Sequence, residues 1–201
     1  MRNAQAGRHG FTLLEITVAL IVVLVLAAVT VPTLISSLEF KKISDTRDRL
    51  VELGNAVSNP GGTGFFNRVT RYPGRVSQLS QPITTVVANH PNSCGLAFSN
   101  AQVGNWTSFG PFLNTFIPTT GLPVPMGRIE EILVRTPAGG GAGTLAFRML
   151  DVRTSEAIEL DYLMDASDGL LAGTVRWVTP SVTGGAGYAD ISYLISIGAA
   201  C

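Results

Sequence analysis

Two clusters of charged side chains have types and spacings that could do chemistry. Asp161, Asp165 and Asp168 offer carboxylate oxygens of the kind that calcium, a hard cation, gathers in sets of six to eight. Helical spacing puts Asp161 and Asp165 on one face, with Asp168 in the turn beyond. No EF-hand spacing is present, so the preferred reading is a helix ending in an aspartate-rich turn before Gly169, with no metal expected. The second cluster, Arg68, Arg71 and Arg75, interleaves with Phe65, Phe66 and Tyr72, and no acid occurs between Glu52 and Glu130. Arginines beside exposed aromatics suit phosphate contact and base stacking. They equally suit an acidic face on another copy of the chain. The segment from Asp151 to Asp168 supplies one, with six acids against Arg153. Three arginines in a chain of zero net charge are few for nucleic acid, and contact between copies is the preferred reading.

These clusters are carried on a chain whose start is its most distinctive part. Polar and basic residues run to Gly10, and an almost wholly apolar stretch follows from Phe11 to Leu38. No charged residue occurs from Ile16 to Ile35. A bilayer crossing needs about 20 such residues. A cleaved secretory signal has a shorter apolar core, roughly 7–15 residues, with its cut on the far side. The stretch is therefore expected to stay attached as a membrane span reaching to about residue 38, with Arg2 and Arg8 holding the amino terminus in the cytoplasm.

Gly10, Phe11, the lone acid Glu15 and the proline Pro32 stand in the pattern of a prepilin amino terminus, and the chain resembles type IV pilins and type II secretion pseudopilins there. The resemblance is specific over residues 8–38 and architectural beyond them. It implies that residues 1–10 are a leader removed by prepilin peptidase after Gly10, that the new terminus at Phe11 is methylated, and that subunits polymerise through residues 11–57. The partners implied are other pilins, as homo- or hetero-polymer, the peptidase, and an inner-membrane assembly platform. Before assembly the protein would cross the inner membrane once, with residues 58–201 as a periplasmic head that ends in a periplasmic or extracellular filament. A structural pilin is the expected role. A secretion pseudopilin is the alternative within the class, and a minor pilin acting as a DNA-binding or adhesive receptor is the alternative from another class. No cofactor and no enzymatic activity are expected.

Glu15 has two readings. It is an acid that reaches headgroup water from the first helical turn, where burial costs less than the roughly 2.5–3.5 kcal/mol at the bilayer centre. Or it neutralises the Phe11 amine of a neighbouring subunit, as the resemblance implies. Pro32 lacks an N–H and is expected to kink or loosen the helix, with Thr30 and Thr33 near enough to help satisfy freed carbonyls.

Loss of the leader removes Arg2 and Arg8 and leaves 12 basic against 14 acidic side chains, a balance that lets copies pack without strong repulsion. It also leaves His90 as the one histidine, which excludes multi-histidine zinc sites. No Gly-x-Ser-x-Gly occurs. The glycine-rich run at 139–143 lacks the Lys-Ser/Thr of a phosphate loop and is expected to be a hairpin turn. Cys94 and Cys201 are the two cysteines. Outside the cytoplasm they are allowed to pair. The closed loop of about 100 residues would then contribute up to about 4.7 kcal/mol in the chain-entropy model. The resemblance to pilins with a stapled carboxyl-terminal region favours the bond over two separate thiols.

The fold expected is α+β and pilin-like, with a long helix packed on a four-stranded antiparallel sheet. Ile43, Thr46, Leu50, Leu53 and Val57 recur at alternating spacings of three and four and form one apolar stripe on a helix that Gly54 and Asn59-Pro60-Gly61-Gly62 should end. Residues 58–127 read as mainly irregular, with a short helix near 72–79. Strands are expected over 129–135, 144–151, 173–179 and 189–197. A helix capped by Thr154 or Ser155 should cover 155–166, with Ala157, Leu160, Leu163 and Met164 facing inward.

Overall fold

The computed structural model describes residues 12–88, 91–137, 142–166 and 168–199. It divides the chain into two compact units, Met1–Lys41 and Lys42–Cys201. Helix α1, Leu13–Val57, begins in the first and ends in the second.

In the first unit, every described residue from Thr12 to Lys41 is exposed. The helix is unbroken through Pro32. Its hydroxyls are turned back onto its own carbonyls. Thr17 donates to Leu14, Thr30 to Leu26, Thr33 to Thr30, and Ser36 and Ser37 both to Thr33, at 2.8–3.0 Å. This is how polar side chains are satisfied where no water is present. The carbonyl that Pro32 leaves without a donor belongs to Ala28, and the threonine bonds go to Leu26 and Thr30 instead. The expected help from Thr30 and Thr33 is thus given to neighbouring carbonyls.

In the second unit the stripe of Ile43, Thr46, Leu50, Leu53 and Val57 is buried in full. Gly54 does not end α1. It is a point of close approach, since a Cβ there would lie 3.1 Å from Tyr193 Oη and 3.4 Å from Ile195 Cγ2. The chain turns after Val57, where Asn59 accepts N–H bonds from Gly61 and Gly62, the latter at φ +77°. Arg49 pairs with Glu52 at 2.6 Å.

Strands β1 (Leu122–Val124), β2 (Gly127–Ile129), β3 (Val134–Thr136), β4 (Gly143–Arg153), β5 (Val175–Val178) and β6 (Tyr188–Ile197) form one antiparallel sheet of order β1-β2-β4-β6-β5, with β3 also on β4. The sheet has six strands where four are expected from the sequence. One of the two extra strands, β1, is three residues long and too short to show alternation. The other arises because the run 129–135 is split between the end of β2 and β3. Past Glu130 the chain leaves β4, and Glu131 turns its carboxylate to the backbone N–H and hydroxyl of Ser77. Those bonds satisfy a donor at the start of the 3-10 helix Val76–Leu79.

Leu145, Phe147 and Met149 alternate into the core from β4. A bulge at Asp151, φ +57°, then shifts the register so that Val152 is buried as well. Two helices stand where irregular chain was expected, α2 (Phe65–Val69) and α3 (Asn100–Phe109). Ser99 and Gln102 form a capping box at the start of α3. Helix α4, Thr154–Asp165, buries Ala157 and Leu160, with Leu163 and Met164 partly covered. Its cap differs from expectation. Arg153 occupies that position, Thr154 Oγ1 is buried without a partner, and buried Glu156 receives both Arg153 (2.6 Å) and Lys42 of α1 (2.7 Å).

Candidate functional site

Gly10 and Phe11 lie outside the described residues, as do His90, residues 138–141 and Cys201. The part of the amino-terminal motif that is described begins with Thr12, whose hydroxyl accepts the Glu15 N–H at 3.2 Å and whose carbonyl accepts it at 3.0 Å. Thr12-Leu13-Leu14-Glu15 is therefore also a helix-start signature, a threonine cap with glutamate three residues on. Glu15 sits in the first turn of α1, where a negative charge complements the helix dipole. This role was legible in the residues and adds a local reason for an acid at that position.

Beyond Glu15 the helix is apolar on every side. Leu20 to Leu26 fill seven consecutive positions, nearly two turns, and all are exposed. The most apolar window has a mean hydropathy of 2.9 and none of it is buried within the chain. A helix that is hydrophobic all round belongs in a membrane or inside a larger assembly. Length and composition make α1 able to cross a bilayer near the amino terminus.

The three arginines do not form one patch with free aromatic rings. Arg68 lies over the Phe109 ring at 4.7 Å. Arg75 sits beside Glu131, which comes from far along the chain, so the acid-free stretch in sequence is not acid-free in space. Arg71 is half-buried. The aromatics are used internally: Phe65 is buried against Phe98 and Phe112, and Phe66 stacks on Tyr72 at 4.1 Å. Rings packed in this way are not presented as a platform for bases. Burial pushes the Glu131 carboxyl above its ordinary value, against the lowering effect of the Ser77 bonds and Arg75.

The three aspartates do come together. One carboxylate oxygen from each of Asp161, Asp165 and Asp168 lies within 4.8 Å of the others. Asp165 is fixed by the Thr174 N–H (2.8 Å), the Val175 N–H (2.6 Å) and the Thr174 hydroxyl (2.6 Å). Asp161 is held above its ordinary value by burial first and then by the charges of Asp168 and Asp165. A second acidic pair, Asp151 and Asp190, is of a different kind. The single Ser181 hydroxyl is shared between them, at 2.5 and 2.7 Å, and Thr183 adds its hydroxyl to Asp151. Those two hydroxyls hold Asp151 below the ordinary value. For Asp190 burial acts upward, yet bonds from Ser181, Val182 and Asp151 outweigh it and the net shift is downward.

Cys94 follows Ser93 in a loop, and no cysteine among the described residues is free. Arg135 donates to Ser93 Oγ at 3.3 Å and to the Gly198 carbonyl at 3.2 Å, and Tyr72 Oη accepts the Gly198 N–H at 3.0 Å. The end of β6 is thereby held beside the Cys94 loop.

In comparison with known proteins, the chain matches no family model, no curated protein and no solved structure.

Proposed function

We propose that this chain is the subunit of a pilin-type filament: a prepilin cut after Gly10, inserted through α1, and assembled by packing that helix against copies of itself or related subunits. The observation that carries the reading is the exposed, all-round apolar half of α1 with Glu15 as its one acid before Glu39. Such a surface needs a partner outside its own chain, and soluble monomers rarely expose apolar patches beyond a few hundred Å². Lipid is that partner before assembly, and neighbouring helices are the partner after it. The hydroxyls bonded back to the helix suit both dry environments.

In this account Glu15 neutralises the cationic Phe11 amine of the next subunit, and Pro32 marks a stretch that can loosen as helices pack. The amino terminus is cytoplasmic and the head is periplasmic, then part of a filament in the periplasm or outside the cell. The same physics serves a surface pilus and a secretion pseudopilus. A receptor for nucleic acid is disfavoured by the internal use of Phe65, Phe66 and Tyr72. Cys94 and Cys201 are bonded in the mature head. Gly198 is held near Ser93, and the three residues from there to Cys201 reach about 10 Å.

Glu15→Leu tests the assembly role. The variant is expected to insert in the membrane and be trimmed to Phe11 as the parent is, by intact mass, while filament recovery by shearing falls to a small fraction. Filament recovery equal to the parent's would remove Glu15 from the mechanism.

A further inference from the structure

Helix α4 runs alongside the head half of α1 and in the same direction. It starts where Glu156 meets Lys42 at 2.7 Å. Its last residue, Asp165, accepts bonds from Thr174 and Val175, and Val175 pairs with Tyr193, whose hydroxyl lies against Gly54. The rise of α1 from Lys42 to Gly54 is about 18 Å, and α4, with 12 residues, has about the same length. The two helices differ in what they show to the outside. Between Lys42 and Val57 the exposed positions of α1 are Asp45, Asp48, Arg49, Glu52 and Asn55. On α4 they are Ser155, Ile158, Glu159 and Tyr162, with a single charge among them. Ile158 is 49% exposed and Tyr162 is 64% exposed. At i,i+4 spacing these two side chains stand one above the other and form an apolar ridge.

We infer, on the filament reading, that the Ile158–Tyr162 ridge of α4 is a docking surface for the apolar half of α1 from another copy of the chain. The charge pattern selects the occupant. A charge-free helix laid along the outer face of α1 itself would dry out carboxylates and a guanidinium, which is costly without partners. On α4 the same helix meets an uncharged strip of matching length and direction, so that a copy packed along α1 lies along α4 as well. Rows of i,i+4 side chains seat in the grooves of a second helix. On α1 the adjacent small residues Ala27 and Ala28 interrupt the larger Leu24, Leu26 and Val29, and leave room for a ring the size of tyrosine. Both members of the contact are apolar, and both are uncovered in the single chain. The head would then help set how copies sit along the filament, in addition to the helix core.

The test uses the full-length chain in cells with the assembly machinery, with heavy- and light-isotope copies mixed. Benzoylphenylalanine in place of Tyr162 should give heavy–light cross-links that map to residues 13–38 when sheared filaments are irradiated. The same group in place of Val182, 85% exposed in a loop, should not. Tyr162→Lys should reduce filament recovery about tenfold or more, as a charge forced into a dry contact would. Its trimming to Phe11 and the thermal unfolding of its head should match the parent's, and Tyr162→Phe should assemble as the parent does. Parental filaments with Tyr162-position cross-links only to residues 42–201 or to lipid would overturn the ridge and leave the filament reading intact. Full filament recovery with Tyr162→Lys, or equal cross-linking from the Val182 position, would do the same. Absence of filaments from the parent itself would overturn both.

Discussion

Residues 13–41 and 42–57 belong to the same helix, yet burial separates them: every residue of the first stretch is exposed, while the second buries one stripe and keeps charges on its other faces. Composition explains the contrast. In 42–57 the apolar positions recur at three and four, so one face meets the sheet at Gly54 and the rest meets water. In 13–38 apolar residues occupy all faces, and none of them is covered. The difference teaches where each partner lies. A striped helix finds its core inside its own fold, and a uniformly apolar one calls for a membrane or a larger assembly.

The contrast can be broken most sharply by truncating a leucine in each stretch. Leu50 is wholly buried, and Leu50→Ala is expected to destabilise the head by about 2–5 kcal/mol in denaturant unfolding. A smaller effect separates the two acidic regions of the head. The lowered Asp151 and Asp190 contribute stability that is present above the ordinary aspartate value of 3.8 and is lost as pH falls through their depressed folded values. The raised Asp161 has the opposite sign. Its contribution is present below 3.8 and is lost as pH rises through its elevated value. Ser181→Ala with Thr183→Ala should therefore lower stability at neutral pH and flatten the acid limb of the unfolding midpoint against pH. An acid limb as steep as the parent's would contradict the assignment. The smallest effect belongs to Leu24→Ala. Leu24 is 67% exposed, and its truncation should leave head stability within about 0.5 kcal/mol of the parent.

Much of this was legible in the residues. The five-residue stripe, the long apolar helix, β4, α4 and β6 follow from local periodicity, which acts over a few residues and survives folding. The two short helices lack that length, although Ser99 and Gln102 spelled the start of α3. The split of 129–135 depends on Glu131 meeting Ser77, 54 positions away, a contact no local pattern encodes. The surroundings of the arginines escape sequence reading for the same reason, because Glu131 reaches Arg75 and the rings of Phe66 and Tyr72 stack on each other. The aspartates were partly legible: the spacing of Asp161 and Asp165 places them together, while Asp168 joins them only through the turn that follows α4.

The central claim is that the apolar half of α1 leaves lipid to pack against other copies. A photo-reactive benzoylphenylalanine at Val25 tests it directly in cells with the assembly machinery. Irradiation of the sheared high-molecular-weight fraction should give a ladder of cross-linked dimers, trimers and higher species of chains that begin at Phe11. Adducts to lipid alone, with monomers that retain Met1 in every fraction, would contradict it.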